Sequence, residues 1–188
     1  MLEPKRFERR RPGADRSDGP SAPGTVVRLR IVLLDVTPTV WRRLEVPVHW
    51  TLRQLHAALR CAMGWSNGGG HRFLVNGGVP YGNTAEQATA RDSRWISLAD
   101  VVALSSKTFR YEFTSGRTWK HEVTVEWLAE IAAGNSGARC LEGEHAWPPD
   151  GEGSRSLWVD RVDFIVADDV EPAVFDLEAI NRALAQLG

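Results

Sequence analysis

The chain has 188 residues, 43% of them hydrophobic and 25% charged, a length that supports one compact domain with a large core and a short tail. Two cysteines, Cys61 and Cys140, are too few for a disulfide framework, no signal-peptide pattern is visible, and the longest apolar run, Ile31 to Leu34, is strand-sized. These features exclude disulfide-rich, collagenous and membrane-spanning classes and lead us to expect a cytoplasmic protein. The net charge of −1 hides an asymmetry: residues 1–24 carry 6 basic and 4 acidic side chains, residues 25–127 carry 13 and 8, and residues 128–188 carry 4 and 12.

Residues 1–24 combine Arg9, Arg10 and Arg11 with Pro, Gly and Ser and show no apolar period, so a disordered N-terminal arm is expected there. Residues 25–188 are expected to form a single domain. Val27, Leu29, Ile31 and Leu33 alternate with Arg28 and Arg30, the pattern of a strand with one buried face, and Val32 and Leu34 add apolar groups to its second half. Thr37-Pro38-Thr39 turns the chain, and Val40 to Val46 reads as the returning strand, stopped by Pro47.

Three start signals then coincide. Thr51 can cap a helix, Gln54 completes a capping box, and Trp50 can staple onto Leu55. Leu52, Leu55, Leu59 and Met63 share one helical stripe, and Gly64 is placed to end it. A strand from His71 to Val75, an Asn76-Gly77 turn and a short partner ending at Tyr81 follow, then a loop over 82–94. Ser97 and Asp100 open a short helix to about Leu104.

Phe109, Tyr111 and Phe113 on one side of a turn at Thr114 to Arg117, with Trp119, His121, Val123, Val125 and Trp127 on the other, predict a half-buried hairpin. Residues 134–157, rich in Gly, Pro and acid, read as an irregular connection. Residues 157–166 fit neither the helical nor the strand period. Asp176 caps a last helix with Leu177, Ile180, Leu184 and Leu187 along its stripe. The fold class is therefore α+β: a mostly antiparallel sheet built from β-hairpins, against a few helices.

Candidate chemistry is sparse. A metal site would draw on Cys140, Glu142, Glu144, His145 and Asp150, but Cys-x4-His is not a zinc-knuckle spacing, and His121-Glu122 lacks the second His of a zinc-protease helix. Gly68-Gly69-Gly70 has no following Lys-Ser/Thr, so no phosphate loop is present. No Gly-x-Ser-x-Gly elbow occurs. His121 falls on the Trp and Val face of its strand, the place of a core histidine, and Cys61 falls near the apolar stripe of the first helix. Trp41, Trp65, Trp119 and Trp147 lie near turns or element ends, where an indole can face a groove.

Several segments taken together resemble a known family. Val40-Trp41-Arg42-Arg43, Thr51-Leu52 with Leu55-His56, Met63-Gly64-Trp65 and His71-Arg72-Phe73 are similar to the N-terminal signature of the plasmid pRiA4b ORF-3-like family. Tyr111-Glu112-Phe113, Gly116, Trp119 and His121-Glu122 resemble its second signature, Cys140 through Pro148-Pro149 its third, and Phe175-Asp176-Leu177 with Asn181 its C-terminal helix. The resemblance implies a single α+β domain, association with plasmids or transposable elements, and no established reaction. It also shows departures: a stretch that usually reads Asp-Phe-Gly-Asp is Thr114-Ser115-Gly116-Arg117 here, the usual His-Leu-His retains only His71, and Pro-Pro-Glu-Asp followed by Gly-Gly is Pro148-Pro149-Asp150-Gly151.

The expectation is a non-catalytic binding or accessory module for a protein or small ligand, with no cofactor, no bound metal and no membrane partner. Its candidate ligand cleft comprises Trp41, Arg42, His56, Trp65, His71, Tyr111, Trp119, His121 and Asp150. Two alternatives stand beside it: a metal-dependent hydrolase or nuclease with a degenerate site, and a nucleic-acid binder using the Arg-rich N-terminal half.

Overall fold

The computed structural model of the chain describes residues 24–65, 68–85, 88–105, 107–131, 137–146 and 175–187. In chain order these form strands β1 (Gly24–Leu33) and β2 (Trp41–Pro47), helix α1 (Leu52–Met63), strands β3 (Gly70–Leu74), β4 (Tyr81–Gly82) and β5 (Arg91–Asp92), and helix α2 (Leu98–Leu104). Strands β6 (Thr108–Ser115), β7 (Arg117–Ile131) and β8 (Arg139–Glu144), helix α3 (Leu177–Leu184) and a 3-10 turn, Ala185–Leu187, complete them. The expected arm over residues 1–24, apart from Gly24, and the ambiguous stretch 157–166 lie outside the described residues.

Eight strands make one sheet in the order β5-β4-β3-β6-β7-β1-β2-β8, antiparallel at every junction except β4–β5. This is the α+β architecture expected. Val27, Leu29, Ile31 and Leu33 of β1 are fully buried, and the buried residues of all three helices join them in one core. No described helix is long and apolar enough to cross a membrane.

Local chemistry explains α1 closely. The Thr51 hydroxyl accepts from the Gln54 N–H at 3.3 Å, and the Gln54 side chain accepts from the Thr51 N–H at 2.9 Å. At the far end Gly64 sits at φ 76°, a left-handed position glycine occupies at no steric cost, and its N–H returns to the last turn. Leu52, Leu55, Ala58, Leu59, Ala62 and Met63 turn inward. Because Leu55 is fully buried, Leu55→Ala should lower unfolding free energy by about 3 kcal/mol. Thr51→Ala, which removes one cap bond, should cost about 1 kcal/mol. Urea midpoints of the two variants that come out equal would show that capping, not packing, holds this helix.

Three readings need correction. First, β7 does not keep Trp127 on the face of Trp119 and His121: a bulge opposite Arg28/Leu29 shifts the phase, so Trp127 lies across from Arg28 on the outer face and is 45% exposed. Second, the stretch read as an irregular connection contains β8, which pairs with β2 over Trp41↔Glu144 to Glu45↔Arg139. Its Gly and charges suit an edge strand, where Asn181 of α3 closes the free edge by donating to Cys140 O (3.0 Å) and accepting from Cys140 N–H (2.8 Å). Third, the loop over 82–94 contains β5, held parallel to β4.

Candidate functional site

Five of the nine candidate residues converge between α1 and the β3-β6-β7 part of the sheet. Cross-strand register places His71 opposite Phe113 and Tyr111 opposite His121, so β3, β6 and β7 present them to the same side. There α1 brings His56 from its buried stripe, and Trp65 follows the Gly64 cap. The imidazoles of His56 and His71 stack at 3.9 Å with 12° between planes, and the Trp65 indole stacks on Phe113 at 4.1 Å. His121 meets the Trp65 ring edge-on at 5.1 Å.

Hydrogen bonds lock this cluster. His56 Nδ1 pairs with the Tyr111 hydroxyl at 2.8 Å, and His71 Nε2 with the Ser93 hydroxyl at 3.0 Å. His121 Nδ1 faces the Tyr111 carbonyl at 3.2 Å. A carbonyl only accepts, so Nδ1 carries the proton and Nε2 is the lone-pair nitrogen; no donor reaches that buried Nε2 among the described residues. Burial lowers His56 to about 3, and the repulsion that a proton on His71 would exert, together with the Arg60 and Arg53 guanidiniums, acts in the same direction. Burial also lowers His121 to about 4, against hydrogen bonds to Tyr111 and Trp119 that oppose it, and pushes the Tyr111 phenol well above its ordinary value. At neutral pH both histidines are uncharged, and Tyr111 keeps its proton.

Trp119 shares the inner face with His121, paired across from Phe113, with the Arg117 guanidinium 4.1 Å over its ring. Arg42 belongs to a different cluster. It lies opposite Gly143, is only 2% exposed, and donates to Ala62 O (2.9 Å), Trp41 O (2.7 Å) and Glu144 O (2.9 Å). Phe175 covers it at 4.7 Å. A Cβ at Gly143 would stand 2.8 Å from Arg42 Cδ and from Phe175 Cε2, so the glycine makes this approach possible. Burial lowers Arg42 to about 10, still protonated at neutral pH, and raises the Cys140 thiol to about 11 despite the nearby guanidinium, which leaves it un-ionised.

Trp41 points to the outer face, its indole N–H donating to Glu144 at 2.9 Å. The candidate cleft thus separates into an inner aromatic–imidazole cluster, a buried arginine clamp and an outer-face tryptophan; Asp150 lies outside the described residues, as does Trp147. The four possible metal ligands among the described residues are likewise dispersed: Cys140 is buried in the core, Glu142 pairs with Arg43, Glu144 takes Trp41, and His145 binds Thr39 O at 3.0 Å. Ser93 had no sequence signal, because only the β4–β5 pairing carries it to His71.

The outer face of β7, β1, β2 and β8 is a ladder of charge and indole. Arg28 stacks over Trp127 at 4.5 Å, and Arg30 and Arg43 lie over Trp41 at 5.1 and 5.6 Å. Glu45, 3% exposed, takes Arg28 at 2.7 Å and Arg139 at 2.5 Å; burial alone would raise its carboxyl, and these two hydrogen bonds hold it below the ordinary value. Arg43 engages Glu126 at 2.7 Å and also Glu142.

Fold and placements define a class: a two-layer α+β domain whose sheet buries one face, with its imidazole cluster, against helices. Within that class the chain belongs to the plasmid pRiA4b ORF-3-like protein family, whose model matches residues 25–178. It is similar to the uncharacterized protein y4hQ of Sinorhizobium fredii, 34% identical over 132 residues that cover 69% of this chain and 67% of the relative. It is also similar to the protein of unknown function MM3350 from Methanosarcina mazei Go1, a crystal structure with a TM-score of 0.61 and 27% identity, covering 69% of this chain and 75% of that one.

Proposed function

We propose that the chain is a non-catalytic binding or accessory module that engages a protein or small ligand through the outer face of β7, β1, β2 and β8. The observation that carries this reading is the half-exposed Trp127 beneath Arg28, a large amphipathic ring displayed on a sheet face rather than packed into the core. Trp41, topped by two guanidiniums, extends the same surface. The groups suited to acid–base or nucleophilic work support the reading from the other side. His56, His71, His121, Tyr111 and Cys140 are all buried, and they are engaged with one another, with the Ser93 hydroxyl or with backbone. Association with a plasmid or mobile element is an extension from the family description.

A nucleic-acid role fits less well. Arg28, Arg43 and Arg139 are already committed to Glu45, Glu126 and Glu142, so little net positive charge faces outward for phosphates. A hydrolase would have to gather ligands that the fold disperses over both faces of β8.

Retention on immobilised protein tests the proposal. Wild type and a Trp41→Ala/Trp127→Ala double variant, matched for folded content by circular dichroism, are exposed to extract and to duplex DNA, and each retained species is purified and re-measured. We expect a protein or small molecule whose Kd weakens at least about tenfold in the double variant, the size of one lost aromatic anchor. Equal affinity for both forms would overturn the assignment of this face, and salt-sensitive duplex binding would replace the reading with the nucleic-acid one.

A further inference from the structure

The segment 88–95, which contains β5, lies over the imidazole cluster but contributes little to the core. Its one buried apolar residue is Ala90, while Trp95 is 82% exposed. Backbone bonds hold it: Arg91 N–H to Pro80 O (2.8 Å), Ser93 N–H to Gly82 O (3.0 Å) and Arg53 N–H to Ser93 O (3.1 Å). Ser93 adds a side-chain hydrogen bond to His71, and Asp92 faces the charge of Arg53 on α1. A segment with few buried apolar contacts occupies the low-stability end of a protein's local opening spectrum. Here its attachment ends on an imidazole that is stacked on a second imidazole.

We propose that residues 88–95 form an acid-released strap, latched by Ser93 onto the stacked His56–His71 pair, that opens as pH falls while the rest of the sheet stays folded. Closed, the strap and α1 keep the rings buried, and a proton on either ring places a cation against its partner at 3.9 Å. Opening detaches Ser93 and lets water reach both rings, so only the open form takes up protons readily. The charges around the pair reinforce this. From α1 come Arg53 and Arg60, which act on His56 as like charges; β6 contributes the neutral Tyr111 and β7 the neutral His121. Tyr81 of β4 stands across from Phe73. On the strap itself Asp92 is engaged by Arg94 and Arg91 is exposed. Arg72 and Glu112 pair with each other. The device is independent of what the outer face binds.

Linkage sets the size of the effect. An imidazole that titrates at its ordinary value only in the open form raises the open population about thirtyfold between pH 7.5 and pH 5. Amide hydrogen exchange on the full chain, corrected for intrinsic rates, reads this directly. We expect the Arg91, Ser93 and Arg53 amides to lose at least about tenfold protection over that range, while opening at every pH with a lower free energy than the Leu29 and Val123 amides of the central strands. Ser93→Ala should open the same amides already at pH 7.5, and His71→Phe, which keeps a stacked ring without a titratable group, should reduce their pH response to the share that His56 carries. Strap amides that share the opening free energy of the central-strand amides at every pH would overturn the proposal, since acid would then act only through global unfolding. A wild-type pH response that His71→Phe leaves intact would also overturn it.

Discussion

Replacing Arg42 by Ala should be among the most damaging single changes in this protein, lowering unfolding free energy by about 4 kcal/mol. The guanidinium satisfies three buried or half-buried carbonyls, on Ala62, Trp41 and Glu144. The Ala62 carbonyl lies at the C-terminal end of α1, where no intrahelical donor remains and where a cation also meets the negative end of the helix dipole. Truncation strands these acceptors, leaves a void beside Gly143, and removes the cation over which Phe175 leads into α3. One side chain therefore joins α1, the edge of the sheet and the C-terminal helix. Arg42→Lys should recover less than half the loss, because an ammonium on a single stem cannot hold the fork geometry. Urea unfolding of the three forms decides the matter, and a loss below about 1 kcal/mol for Arg42→Ala would show that the clamp is incidental.

Acid should destabilise the fold well before its carboxylates titrate. His56 and His121 have folded values of about 3 and about 4, both below the ordinary 6.5. The unfolded chain therefore binds protons that the folded chain refuses. The stability these groups confer is fully present above about pH 6.5 and is lost as pH falls toward the folded values. Below pH 6 the slope approaches two protons, about 2.7 kcal/mol per pH unit, and the loss reaches about 4 kcal/mol by pH 5. Denaturation midpoints taken between pH 7.5 and pH 4.5 give this slope. His121→Gln should remove roughly half of it, since one of the two refused protons goes with the ring. A midpoint that stays flat from pH 7 to pH 5 would mean that the imidazoles accept protons in the native state.

The parts of this fold legible in the sequence are those whose cause is local. Thr51 and Gln54, Ser97 and Asp100, and Asp176 announced the three helix starts because a cap side chain and the N–H that donates to it lie within one turn. The alternation of Val27, Leu29, Ile31 and Leu33 announced one buried strand face because side chains alternate at every residue. The family was legible through the order and spacing of several such segments, and the matched span confirms it.

Position across the sheet was not legible. Trp127 continues the alternation that starts at Trp119, yet one extra residue in a bulge moves it to the outer face, and nothing within β7 signals where the partner strand will demand that residue. The Gly and acid of Arg139 to Glu144 read as loop because β8 takes its order from pairing with β2 and from the side chain of Asn181, distant in sequence. The same cause separated the candidate residues. Trp41 and Arg42 are adjacent in the chain but face opposite sides of a pleated strand, while His56, His71 and Tyr111 come from three elements and meet through register and helix packing. Composition and local pattern determined the three helices with their caps and the buried face of β1. Only the tertiary structure decided which histidines would stack, which arginine would be buried and which tryptophans would face outward, because each of those outcomes depends on long-range strand pairing and helix packing, not on neighbours along the chain.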